Sequence, residues 1–147
     1  MNREILFRGQ KSSTNEWIEG SLIINKAGDH VITQVIENPV HLGTLNGWCF
    51  AVLAETIGQY TGLKDKNGVK IFEGDVCKYD DNENMSDWVS GETFVVIGLK
   101  GRFTARMKPY DNHNGTNQNT MNEDVEDCVE VIGNIHSNPE LLEGSNS

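Results

Sequence analysis

No apolar run in this 147-residue sequence approaches the roughly 20 residues that a bilayer-spanning helix needs. The opening residues, MNREILFRGQK, lack the apolar stretch of an export signal. Cysteine is scarce: Cys49, Cys77 and Cys128 stand far apart, form no Cys-x-x-Cys pair and cannot all be bridged. Free thiols in a reducing cytoplasm, with no membrane association, are the expectation. Positive charge is also short. Twelve Lys and Arg face 22 Asp and Glu, a net charge of −10. Such a surface repels phosphate backbones, so direct nucleic-acid binding through a basic face is disfavoured. The same acidity is compatible with plain solubility, with a basic protein partner, or with mimicry of the charge of DNA.

Reactive signatures are missing as well. The chain has no Gly-x-Gly-x-x-Gly, no Walker loop and no Gly-x-Ser-x-Gly. His30, His41, His113 and His136 are scattered, without the spacing of metal ligands. No catalytic residue, metal or cofactor is expected. Cys49 and Cys77 read as small core residues. Glu73 and Asp75 flank Gly74, but nothing nearby would drive their pKa values apart, as acid–base work requires. Asp65-Lys66-Asn67-Gly68 fails as an EF-hand loop, because Gly68 falls at position four and Val76 at position twelve. Asn67-Gly68 is better read as the turn of a hairpin.

What is present is a series of short β-rich runs punctuated by glycine and Asn/Asp clusters. Glu4–Arg8, Trp17–Ile24 and His30–Ile36 are expected to form a small antiparallel sheet, with a turn at Gly28. Trp48–Ile57 is ambiguous between strand and helix. Val69–Phe72 and Val76–Tyr79 flank a bend at Gly74. Glu92–Leu99 is apolar enough for burial on both faces, and Lys100-Gly101 is a candidate two-residue turn. Phe103, Ala105 and Met107 alternate with Arg102, Thr104 and Arg106, which predicts a strand with one wet face. Val129–Ile135 is the last strand, with Val129, Val131 and Ile135 on one side. Asn138-Pro139 then caps a short helical turn carrying Leu141 and Leu142. Asp80–Asp87 and Asp111–Asp127 read as acidic polar loops. The fold expected is mainly β. An N-terminal antiparallel region covers 1–55, a small barrel or roll 56–143, and a loose tail 144–147.

The most patterned stretch is TIGQYTGLKDKNGVKIFEGDVCKY, Thr56 to Tyr79. Glycines at 58, 62, 68 and 74 predict a chain that turns repeatedly, an architectural corner more than a ligand site. If a pocket exists there, Gln59, Tyr60, Asp65 and Asp75 are its candidate rim. Trp17 and Trp48 are expected in the core; Trp88, beside an acidic loop, is the candidate exposed contact residue.

Glu55–Gly68 followed by Lys70–Val76 strongly resembles the YopX family of phage and prophage proteins. Arg3, Phe7 and Arg8 reproduce the family's opening Arg-x-x-x-Phe-Arg pattern, and Glu130–Leu142, EVIGNIHSNPELL, its closing segment. The resemblance implies a mainly β protein containing an SH3-like barrel, made inside an infected or lysogenic bacterium. It implies no particular activity, and no catalytic residue is carried over.

Three functions follow as alternatives. The first is a non-enzymatic interaction module for a host or phage protein. The second is an acidic DNA mimic that blocks a DNA-binding protein. The third is an enzyme of unfamiliar type, which would need a deep pocket with converging polar groups. Self-pairing of a small barrel with open edges is compatible with all three.

Overall fold

The computed structural model describes residues 4–34, 49–81, 83, 90–99, 102–107, 118–121 and 125–143. The protein is mainly β, with antiparallel sheets and few helical turns. The chain divides into two compact units, Met1–Tyr60 and Thr61–Ser147.

In the first unit the strands run in the order β4-β3-β2-β1-β5. These are β1 (Phe7–Gln10), β2 (Trp17–Ile24), β3 (His30–Thr33), β4 (Cys49–Ala51) and the start of β5 (Gly58–Lys64). The eight residues of β2 serve two partners in succession: Trp17–Gly20 pairs with β1 and Ser21–Ile24 with β3. Gly20 stands at the changeover. A Cβ there would collide with the Thr33 carbonyl, so the close approach requires glycine. Ile18, Ile32 and Val52 form the buried centre, with Phe7, Leu22, Phe50 and Ile57 around them.

A single antiparallel bridge, Lys11–Val52, joins the end of β1 to the chain leaving β4. It is flanked by Ser12 N to Ala51 O (3.0 Å) and Leu53 N to Gln10 O (2.9 Å). A 3-10 turn at Ala54–Thr56 follows, which resolves the ambiguity of Trp48–Ile57 as a short strand and then a turn. Buried Thr56 ties it back: its Oγ1 accepts from Gln10 N (2.9 Å) and donates to Leu53 O (2.6 Å).

In the second unit β6 (Lys70–Phe72) lies beside the far end of β5. A five-stranded sheet follows in the order β10-β9-β8-β7-β11. Its strands are β7 (Asp75–Tyr79), β8 (Thr93–Leu99), β9 (Arg102–Met107), β10 (Gln118–Thr120) and β11 (Val129–Asn134). The core gathers Ile71, Cys77, Phe94, Val96, Ala105, Val125 and Val129. Tyr79 packs on Phe94 with ring centroids 4.9 Å apart. The one-turn helices α1 (Val125–Cys128) and α2 (Glu140–Glu143) precede and follow β11.

Several expectations change. The barrel predicted for 56–143 is not formed among the described residues: β7 to β11 make an open sheet, and neither unit contains a closed barrel among them. In the N-terminal unit the Lys11–Val52 bridge links the end of inner strand β1 to the chain leaving edge strand β4. The wet face that the alternation of β9 suggested holds at Arg102, which is exposed, but not at Thr104, which is 2% exposed. A register shift between Val131 and Gly133 interrupts the regular face of the last strand. Leu99 pairs with Arg102, and Lys100-Gly101 between them lie outside the described residues. So do Val35 and Ile36, His41, Trp48, His113, most of the two acidic loops and the tail 144–147.

Candidate functional site

The patterned block builds a hairpin between β5 and β6. Asp65 N donates to Val69 O (2.8 Å) and Gly68 N to Asp65 O (3.0 Å). Gly68 has φ +82°, and neither Lys66 nor Asn67 has a positive φ. That pattern is a type I turn followed by a left-handed residue, the three-residue hairpin loop rather than a two-residue Asn-Gly loop. The Asp65 carboxylate stabilises it: Oδ1 accepts from Asn67 N (2.8 Å) and Val69 N (2.9 Å).

The first unit contains the same device. Asn25 Oδ1 accepts from Ala27 N and Asp29 N, both at 2.9 Å, and Gly28 has φ +91°. The two turns differ in what the other side-chain atom does. Asn25 Nδ2 donates to Asp29 Oδ2 at 2.9 Å, within its own turn. Asp65 Oδ2 instead accepts from Val131 N at 2.9 Å, on β11. Beside it, Lys66 N donates to Val129 O (2.9 Å), and Lys66 Nζ pairs with Asp80 at 2.7 Å.

These contacts set the electrostatics. Asp65 is 4% exposed. Burial alone would raise its carboxyl, but donors from Val131, Val69 and Asn67, helped by Lys66, hold it below the usual carboxylate range. The hydrogen bond to Asp80 raises the exposed Lys66 ammonium. Burial pushes the Tyr79 phenol up.

Each expected rim residue is tied into its own strand or turn. Gln59 pairs with Phe7 at the start of β5 and is half-buried. Tyr60 is 4% exposed, its amide donating to Leu6 O at 2.8 Å. Asp75 is 1% exposed, and its Oδ2 accepts from Phe72 N (2.8 Å), closing the bend at Gly74. Asp65 and Asp75 are thus buried and turned to backbone donors, not placed on a rim. Trp88 lies outside the described residues. Among those described, no group of three or more His, Cys, Asp or Glu is placed to hold a metal. No helix among them is long and apolar enough to cross a membrane.

Nothing local in the sequence marks Val131 as a partner of Asp65, because the two are joined only by tertiary contact. The closing segment carries a more legible signal. Asn134 Oδ1 accepts from His136 N (3.0 Å) and Ser137 N (2.8 Å), a short Asx-type turn that Asn and the following polar residues favour. Asn138 departs from the capping role expected of it: its Oδ1 accepts from Asn134 N (3.2 Å), ahead of the helix rather than inside it.

Among known proteins, a crystal structure of protein EF1440 from Enterococcus faecalis is similar to this chain. It is 27% identical, with a TM-score of 0.55, over 96% of this chain and 99% of the other. No curated protein matches. The family described as YopX protein matches residues 6–143. The match takes in both the Asp65 hairpin and the Asn134–Leu142 segment, and the chain belongs to the YopX family.

Proposed function

We propose that this is a phage- or prophage-encoded, non-enzymatic interaction module that acts on a host or phage protein inside the bacterial cell. The observation that carries the reading is the use of its buried carboxylates. Asp65 and Asp75 serve backbone N–H groups, so the patterned block is scaffold, and recognition falls to exposed side chains. On the β2–β3 hairpin, Ile23 and Ile24 are 50% and 57% exposed at successive positions. β-branched side chains held on a rigid strand lose little freedom on contact, which favours them as recognition elements. An SH3-like description of residues 56–143 belongs to this reading as an expectation of fold kinship.

The test is capture from a bacterial lysate by the full chain, compared with an Ile23→Ser/Ile24→Ser variant. A defined partner lost with the variant supports the reading; equal capture by both chains counts against it. The acidic alternative rests on the net charge of −10. It predicts instead a partner with a basic cleft and a complex that weakens steeply with salt.

A further inference from the structure

At one margin of the five-stranded sheet, β11 pairs with β7 and has no strand on its other side among the described residues. An edge of this kind presents a row of unpaired N–H and C=O groups, a ready template for another strand. Here four groups of the row are occupied. Val129 O accepts from Lys66 N and Val131 N donates to Asp65 Oδ2. Asn134 N donates to Asn138 Oδ1, and Asn134 O accepts from Asn138 N at 2.9 Å. Two side-chain oxygens thus stand where the carbonyls of a neighbouring strand would be. Between them the register shift at Val131/Gly133 breaks the flat ladder, and Ile132 is 37% exposed beside it.

We propose that the Asp65–Gly68 turn is an edge guard: it seals the outer margin of β11 and prevents that margin from pairing antiparallel with β11 of a second copy. The occupant excluded is a second copy because two identical edges brought antiparallel are self-complementary about a two-fold axis. The guard reaches β11 through two independent bonds, and each can be cut without dismantling the turn. Asp65→Asn keeps an Oδ1 for Asn67 and Val69, as Asn25 does in the matching turn, but faces Val131 N with a donor. Lys66→Pro removes the donor to Val129 O at the second position of a type I turn, where the φ of proline fits.

The test uses the full chain and each variant, with amide exchange read by NMR and mass by light scattering over a concentration series. In dilute solution the Val131 amide of Asp65→Asn should exchange at least about tenfold faster than in the parent, while Asn67 and Val69 stay protected. At high concentration the variants should be heavier than the parent, and Val131 should regain protection as the edges pair. A Val131 amide as protected in dilute Asp65→Asn as in the parent overturns the proposal. So does an opened edge with unchanged mass at every concentration. If Asp65→Asn fails to fold, Lys66→Pro, which leaves the three Asp65 bonds in place, decides by its mass alone.

Discussion

The Oδ2 atom of Asp65 lies 2.9 Å from the amide nitrogen of Val131, 66 positions further along the chain. One carboxylate therefore does two things: Oδ1 shapes a hairpin, and Oδ2 fastens that hairpin to the last strand of the sheet. Asp65→Ala leaves three backbone donors without this acceptor. The expected loss is on the order of 3 kcal/mol of stability in the second unit, since orphaned donors forfeit the full desolvation term. Urea unfolding followed by NMR signals of residues 61–143 measures it; a loss below about 0.5 kcal/mol, ordinary for a surface site, would refute it.

Acid should act through the same group. The folded Asp65 carboxyl titrates below its unfolded value, so its contribution is complete above the unfolded pKa of about 3.9. It is lost as pH falls through the lower, folded value. Parent stability should therefore drop below about pH 4 more steeply than that of Asp65→Asn, which cannot titrate there. Equal slopes for the two chains in acid urea titrations would contradict this.

Base should act through two other groups in the same unit. Lys66 is raised mainly by its hydrogen bond to Asp80, and Tyr79 mainly by burial. For both, the stabilising contribution is intact below the unfolded pKa and lost as pH rises towards the folded one. Stability should decline above about pH 10, the range in which unfolded Tyr and Lys titrate. Spectrophotometric titration of Tyr79, assigned through Tyr79→Phe, should place its phenol above the ordinary value.

Glycine at 133 is required by packing. A Cβ built there would stand 2.5 Å from Asn138 Oδ1 and 2.8 Å from Leu141 Cδ1. Gly133→Ala should lower stability by about 1–3 kcal/mol and loosen α2, because the side chains that close on β11 must move. Faster amide exchange at Leu141 and Leu142, whose amides donate to Asn138 O and Pro139 O, is the local readout. Unchanged exchange there would show that the segment absorbs a methyl group freely.

In the first unit, Thr56→Val keeps the shape of the side chain while removing both of its bonds, to Gln10 N and Leu53 O. A loss of about 1–2 kcal/mol is expected, with deprotection of the Gln10 amide. Gly20→Ala should be harsher, because its Cβ meets the Thr33 carbonyl of the backbone, which cannot swing aside. Failure to pair β2 with β3 is the expected outcome, visible as loss of protection at the amides of β3.

Local chemistry in the sequence determined where most strands lie. The eight residues Trp17–Ile24 form the strand their β-branched content predicts, and Gly28, Gly68 and Gly74 turn the chain with positive φ where glycine alone is free to do so. It also marked the Asp65–Gly68 turn, because a short acceptor side chain and a glycine three positions on serve one another locally. Only tertiary structure decided what that side chain does next. The second oxygen of Asp65 finds Val131, Thr104 is buried while Arg102 on the same strand is exposed, and Lys11 meets Val52 from a distant part of the chain. The physical reason is range. Turn geometry is fixed by neighbours a few bonds away, whereas an acceptor's second partner and a strand's second face depend on which distant segment arrives there.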